Sequence, residues 1–158
     1  MTEKRSAGEE AARYLAPRMR SVQELRRHLQ EKGYETAEIR EVIQEFTDLG
    51  YLDDSAYARS YCEYAYARNR GERRILLELA ERGIGTETAR NACEDVRFEL
   101  GIEERNAALQ VARKTADGSP VLPGSRLQAK IARKLDQLGY SQGTILSVLS
   151  EMRSEGEE

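Results

Sequence analysis

Apolar residues recur along the chain at intervals of three and four, which is the spacing of one face of an α-helix. The spacing is repeated in three segments that begin 50 and 56 residues apart. Each segment has apolar residues at positions i, i+3, i+4 and i+7, namely Ile39/Val42/Ile43/Phe46, Ala89/Ala92/Cys93/Val96 and Ile145/Val148/Leu149/Met152. This shared register predicts an internal repeat of amphipathic helices.

A glycine stands in the same register ahead of each segment. Gly33, Gly83 and Gly139 are also separated by 50 and 56 residues, and each ends a predicted helix. Glycine adopts the left-handed conformation without a side-chain penalty, so the next residue packs back onto the last turn. The predicted pairs are Tyr34 with Leu29, Ile84 with Leu79, and Tyr140 with Leu135. Each repeat therefore contains a helix, a glycine turn and a second helix.

Capping signals mark where helices begin. SVQE (residues 21–24) and SRLQ (residues 125–128) have the pattern of a capping box. One more helix precedes each pair, and Asp53 or Asp54 can cap the second of these. The segment ADGSPVLPG (residues 116–124) breaks helices and accounts for the longer last interval. The three preceding helices are predicted at roughly residues 9–16, 54–69 and 103–116.

These patterns predict an all-α protein, an elongated and slightly curved array of three tandem three-helix units with about nine helices. A unit of about 50 residues buries little apolar surface alone, so neighbouring units are expected to stack. The predicted units are residues 1–52 with a flexible N-terminus, 53–101, and 102–158 with a flexible acidic tail.

Composition narrows the classes of function. No apolar run is long enough to span a membrane, and the first ten residues lack the apolar stretch of a secretory signal. Cys62 and Cys93 have no CxxC spacing, and His28 is the only histidine. We therefore expect a cytoplasmic monomer with no metal, no cofactor and no membrane partner. Since the sequence also lacks a phosphate loop, HExxH and GxSxG, we expect no enzymatic activity.

Charge is segregated along the chain although the net charge is only −3. Residues 13–32 contain six cations and two anions, whereas residues 35–54 contain seven anions and one cation. One cationic position recurs in all three repeats, as Arg20, Arg70 and Arg126. Each is predicted at a helix start, where positive charge opposes the helix dipole, so a binding role is one interpretation and a solvated face is the other. A binding face would suit phosphates or an acidic protein.

Tyrosines cluster between residues 51 and 66. Tyr57, Tyr61 and Tyr64 share one helical face and are most simply interpreted as core or as packing between units. Alternatively, Tyr66 with Arg68 and Arg70 offers a stacking platform for bases.

Three segments together carry a family resemblance: RMRSVQELRRHLQEKGY (residues 18–34), GYLDDSAYARSY (residues 50–61) and RNRGERRILLELAERGI (residues 68–84). They resemble the RecX family, regulators of the RecA recombinase, and the likeness extends over about residues 11–152. The resemblance implies tandem three-helix units, no enzymatic activity and binding in the groove of a RecA filament on DNA. It also implies restraint of filament growth, ATP hydrolysis, strand exchange and the coprotease activity of the SOS response, with single- or double-stranded DNA contacted weakly or through the filament.

The resemblance, together with the cation repeat, selects candidate partner-binding residues. The third unit departs from the family pattern in RKLDQLGY (residues 133–140), with Lys134 where an aromatic residue is expected and Leu138 where a cation is. We therefore expect the third patch to bind less strongly than the first two. The candidates are Arg20, Arg26, Arg27, Arg68, Arg70, Arg73 and Arg74, with Arg126, Lys130 and Arg133 in the third patch.

Two other functions remain open. Pairs of helices joined by a glycine turn also resemble helix-turn-helix DNA-binding units, although EVIQEF (residues 41–46) carries Glu where a recognition helix favours Arg, Asn or Gln. A helical scaffold for an acidic protein is the second alternative.

Overall fold

The computed structural model describes residues 4–157, and within that range the secondary structure is entirely helical. Residues 1–3 of the predicted flexible N-terminus and residue 158 of the predicted flexible tail lie outside the described residues. The helices are α1 (Ala7–Leu15), α2 (Val22–Glu31), α3 (Thr36–Asp48), α4 (Asp54–Tyr66), α5 (Glu72–Glu81), α6 (Thr86–Leu100), α7 (Glu104–Ala116), α8 (Arg126–Leu138) and α9 (Gln142–Glu157). The all-α prediction is confirmed, and helix α9 continues through most of the acidic tail.

Three separate cores organise these helices into three-helix units. The first unit (α1–α3) is built around Leu25 and Leu29, the second (α4–α6) around Ile75 and Leu79, and the third (α7–α9) around Ile131 and Leu135. In every extensively packed helix pair, both helices belong to the same unit. The accessible surface is 10009 Å², against about 8,000 Å² for a compact monomer of this mass. The larger surface fits the predicted elongated array.

The predicted glycine turns are present in every unit. Gly33, Gly83 and Gly139 have φ values of 85°, 82° and 96°, in the left-handed region. The amide of the following residue donates to the carbonyl five positions back, from Tyr34 to Leu29, Ile84 to Leu79, and Tyr140 to Leu135. These bonds satisfy carbonyls at the helix end that would otherwise be unpaired.

The start signals are confirmed in part. Ser21 and Glu24 form the complete capping box of α2. Ser125 accepts the amide of Gln128, but the Gln128 side chain accepts a hydrogen bond from Arg153. Asp53 caps α4 through the Ala56 amide, which leaves Asp54 free for another contact.

Neighbouring units meet at a joint with a repeated design. At the first joint, the Val22 amide at the start of α2 donates to the Asp54 carboxylate at 2.9 Å. At the second, the Glu72 amide at the start of α5 donates to the Glu104 carboxylate at 2.9 Å. An acidic residue at the start of each following unit thus satisfies a helix amide of the preceding unit, and its charge suits the helix dipole.

The glycine turn of the following unit forms the other half of each joint. The Ser21 hydroxyl donates to the Arg82 carbonyl at 2.6 Å, one residue before Gly83. The Gly71 amide donates to the Leu138 carbonyl at 2.7 Å, one residue before Gly139. The sequence repeat therefore specifies both the units and the contacts that connect them.

Candidate partner-binding surface

The recurring arginines occupy similar places but have different surroundings. Arg20 and Arg70 stand one residue before the residues that cap α2 and α5, whereas Arg126 is the first residue of α8. The Arg20 guanidinium lies 4.1 Å from the centre of the Tyr14 ring and donates to the Tyr14 carbonyl at 3.3 Å. The three arginines recur at helix starts, but Arg20 and Arg70 are half-buried whereas Arg126 is exposed.

Two central arginines are held by Glu78. Arg70 Nη1 lies 3.0 Å from Glu78 Oε2, and Arg74 Nε lies 2.8 Å from Glu78 Oε1. The Tyr61 hydroxyl also donates to this carboxylate. The Arg70 side chain is only 16% exposed. Glu78 therefore neutralises much of the charge that the sequence had suggested for a partner.

Arg73 and Arg74 also bind the third unit of their own chain. Arg73 Nη2 donates to the Asp136 carbonyl at 2.7 Å and to its carboxylate at 2.9 Å. Arg74 Nη1 donates to the Gln137 carbonyl at 3.3 Å. Two of the predicted partner-binding residues therefore contribute to the joint between the second and third units.

The ion cluster around Glu78 has a testable pH dependence. Burial disfavours the charged carboxylate, but hydrogen bonding by Tyr61 and the charges of Arg70 and Arg74 outweigh burial and lower the Glu78 pKa from its usual 4.5. A carboxyl with a lowered folded pKa stabilises the fold above its unfolded pKa. That stabilisation is lost as pH falls through the folded value.

We expect Glu78→Gln to lower the free energy of unfolding by about 1–3 kcal/mol at pH 7, because two arginines lose their shared anion. Urea unfolding at pH 7 and at acidic pH measures this effect, and the difference between variant and parent should shrink as pH falls. Glu81→Gln on the exposed side of α5 is the matched control and should change stability by less than about 0.5 kcal/mol. Equal effects of the two substitutions would contradict the assigned role of Glu78.

The exposed aromatic residue of α4 is Tyr64, whereas the sequence had suggested Tyr66 as a stacking platform. Tyr66 is buried, accepts a hydrogen bond from Arg97 at 2.9 Å and donates to Glu104 at 3.2 Å. Tyr64 is 45% exposed, and the Arg68 guanidinium lies 3.6 Å from the centre of its ring. The stacking interpretation was wrong for Tyr66 because this side chain points into the joint between units.

A basic groove runs from the second unit into the third. Its first section, of about 290 Å³, lies between Arg68 and Asn69 at the end of α4 and residues of α7 and α8. Its second section, of about 560 Å³, lies between the end of α7 and α8. The two sections share Lys114 and Lys134. The cations that line the groove, named the basic groove below, are Arg68, Lys114, Lys130, Arg133 and Lys134.

These five cations contrast with the arginines of the Glu78 cluster. All five are exposed, and none forms an ion pair with a carboxylate of residues 4–156. Among the side chains that the structure describes, Asp117 is the only acidic one that lines the second section. A concave surface with this excess of positive charge favours an anionic partner. The cations are fixed on helix ends and a helix face of two adjoining units.

Three of the ten predicted site residues line the basic groove, namely Arg68, Lys130 and Arg133. Arg26 lines a separate depression between α2 and α3, and Arg27 is exposed on α2. Sequence reasoning missed Lys114 and left Lys134 out of the selected set. Lys114 could have been selected from its position in the last turn of α7, because the loop that follows this turn leads back to α8 beside α7.

Helix α3 occupies the place of a recognition helix in a helix-turn-helix unit, but its exposed side is acidic. Glu38, Glu41, Glu45 and Asp48 follow each other at spacings of three and four residues and are all exposed. Negative charges on one stripe of a helix repel the phosphates of a DNA groove. The first unit is therefore poorly suited to read DNA with α3.

The repeated three-helix units are matched in known proteins. The family model described as the first three-helix domain of RecX matches residues 7–46, and the one described as the second matches residues 53–92. A crystal structure titled as RecX from Lactobacillus salivarius superimposes with a TM-score of 0.75 at 25% identity, covering 92% of this chain and 94% of the other.

Curated relatives show the same likeness along most of the chain. A protein of Mycobacterium sp. (strain KMS) named regulatory protein RecX is 30% identical over 146 residues, covering 87% of this chain and 76% of the relative. The protein of the same name from Halalkalibacterium halodurans is 30% identical over 150 residues, covering 94% of this chain and 55% of that protein. The chain thus spans about half the length of that relative and of the Bacillus subtilis one. The chain belongs to the RecX family of regulatory proteins.

Proposed function

We propose that this chain is a non-enzymatic regulator of a RecA recombinase, and that it acts by binding the filament which the recombinase forms on DNA. The observation that carries the proposal is the basic groove, where five exposed cations line two adjoining units and have no carboxylate partner in the described part of the chain. Membership of the RecX family supports the recombinase as the partner. The Glu78 cluster and the joints serve as the frame that holds the groove in shape.

An extended chain of units suits a filament because a filament presents the same surface repeatedly. Three units joined by direct hydrogen bonds can contact neighbouring protomers at once. Each contact is weak alone, but linked contacts combine into a much higher overall affinity. Bridged protomers are restrained in the rearrangements that filament growth, ATP hydrolysis and strand exchange require. The SOS-type coprotease activity of the filament would be reduced for the same reason.

The chain itself performs no reaction in this proposal. It binds one state of the filament better than others, and this difference in affinity shifts the filament toward that state. We further propose that the protein works in the cytoplasm as a monomer. DNA would be contacted weakly, or through the filament, by the same cations.

Sequence-independent binding of nucleic acid is the second candidate, because the basic groove also fits a phosphate backbone. Tyr64 beside Arg68, next to the groove, adds an exposed aromatic ring of the kind on which bases stack. Readout of a specific DNA sequence is disfavoured by the acidic stripe of α3.

A binding assay with three targets separates these functions. A fluorescently labelled chain is titrated with single-stranded DNA, with recombinase without DNA, and with recombinase filaments assembled on that DNA with a non-hydrolysable ATP analogue. The proposal predicts that the filament binds at least tenfold more tightly than either component. Equal binding to bare DNA and to the filament would favour the nucleic-acid function, and the absence of filament binding would contradict the proposal.

A further inference from the structure

Two buried thiols face each other in the second unit. Cys62 on α4 and Cys93 on α6 are both completely buried, and their sulfur atoms lie 3.6 Å apart. The two residues are 31 positions apart, so a disulfide between them would close a covalent loop that contains all of α5. No disulfide joins Cys62 and Cys93 in this structure. Neither takes part in the basic groove or in the proposed contact with a filament.

We propose that Cys62 and Cys93 form a reversible oxidation site, in which a peroxide converts the thiol pair into a disulfide between α4 and α6. In the first step one thiolate attacks a peroxide oxygen, which produces a sulfenic acid and, with one proton, water. In the second step the other sulfur attacks the sulfenic sulfur, and the sulfenic oxygen leaves with two protons as a second water. Two electrons pass from the sulfurs to hydrogen peroxide, and no other reactant is needed.

The two sulfurs share one hydrogen bond, which either thiol can donate. Whichever sulfur has lost its proton makes the first attack, because the thiolate is the reactive form. The other sulfur then resolves the sulfenic acid.

The pair lies one helical turn from the joint with the third unit. Tyr66 follows Cys62 by four residues on α4, Arg97 follows Cys93 by four residues on α6, and Arg97 donates to the Tyr66 hydroxyl at 2.9 Å. Tyr66 in turn contacts Glu104 of the third unit. A disulfide has sulfurs about 2.05 Å apart, so the two side chains must approach each other one helical turn from this contact. The oxidation site therefore lies next to the joint with the third unit.

The test uses the whole chain without recombinase, so its outcome is independent of the proposed function. Folded, reduced protein is treated with hydrogen peroxide, then denatured, alkylated and weighed as an intact chain. The expected product is lighter than the reduced protein by two hydrogen atoms, takes up no alkylating reagent, and yields one peptide pair joined through Cys62 and Cys93. Its melting temperature should rise by roughly 5–10 °C and return to the original value after reduction.

The single variants Cys62→Ala and Cys93→Ala serve as controls. Neither can form the internal bond, so peroxide should leave their melting temperatures unraised. Two results would overturn the proposal: both thiols of the folded wild-type chain remain open to alkylation after peroxide treatment, or the disulfide joins two chains. The wild-type peptide map decides the question even where a variant fails to fold.

Discussion

Gly139→Ala is expected to lower the free energy of unfolding by about 2–5 kcal/mol, because a methyl group at this position meets two separate obstacles. Gly139 has φ of 96°, which disfavours any residue with a side chain. It also packs against the start of α5, where an added Cβ would lie 2.6 Å from the Arg74 amide nitrogen. Because that neighbour is backbone, the joint between the second and third units must open to make room.

Two other glycines separate these obstacles. Gly50 has φ of 82° and no neighbouring atom within 4 Å of an added Cβ, so Gly50→Ala should cost only the conformational strain, about 1–2 kcal/mol. Gly71 has φ of −87°, but an added Cβ would lie 2.5 Å from the Gly139 carbonyl oxygen, so Gly71→Ala should cost only the clash, about 1–3 kcal/mol. Urea unfolding of the three variants measures the cost of the strain, the cost of the clash and the cost of both together. A Gly139→Ala variant as stable as Gly50→Ala would show that the joint does not contribute to stability.

The double variant Lys130→Gln/Lys134→Gln should weaken binding to the recombinase filament by roughly 10- to 100-fold with little loss of stability. Both lysines are exposed in the basic groove and lack carboxylate partners within the described chain, so their charge is available to the partner. If that partner is a phosphate backbone, the slope of log K against log salt should also decrease by about 2. If the partner is an acidic protein surface, affinity should fall, but the slope of log K against log salt should not decrease by this amount.

Lys32→Gln/Arg90→Gln is the matched control for the groove variant. Both residues are exposed and lie away from the basic groove, and the double substitution removes the same amount of charge. The control should bind the filament as tightly as the parent chain. A similar loss of binding in both double variants would show that overall charge, and not the groove, determines affinity.

Reversal of Arg70 and Arg74 to Glu is a poor test of binding. It would place two further carboxylates beside Glu78, which now pairs with both arginines. The resulting repulsion would disturb α5 and the joint, so a loss of binding would have two explanations. The exposed lysines of the third unit avoid this ambiguity.

Features with a local physical cause could be predicted from the sequence. The left-handed turn at Gly33 and its bond from Tyr34 to Leu29 depend on residues a few positions apart, and so does the capping box of Ser21 and Glu24. The repeated apolar stripe then identified the helices and the three cores. The fold was predictable because each repeat contains the same local determinants of helix starts, helix ends and buried faces.

The binding surface was less predictable because it depends on contacts between distant residues. The pairing of Arg73 with Asp136 spans 63 positions, and nothing in the local sequence indicates that this arginine is already occupied. The exchanged roles of Tyr64 and Tyr66 have the same origin, since Glu104 of the next unit receives Tyr66. Lys114 belongs to the groove only because the loop after α7 returns α8 to its side.

The most direct test of the central claim is the single-stranded-DNA-dependent ATPase rate of the RecA recombinase from the same organism, with this chain titrated from substoichiometric to equal amounts. The account predicts that the rate falls as the chain is added, and that Lys130→Gln/Lys134→Gln requires at least tenfold more protein for the same loss. Loss at substoichiometric amounts would indicate action on filament ends, and loss near saturation would indicate coating of the groove. An unchanged rate at equal amounts of folded chain and recombinase would contradict the account.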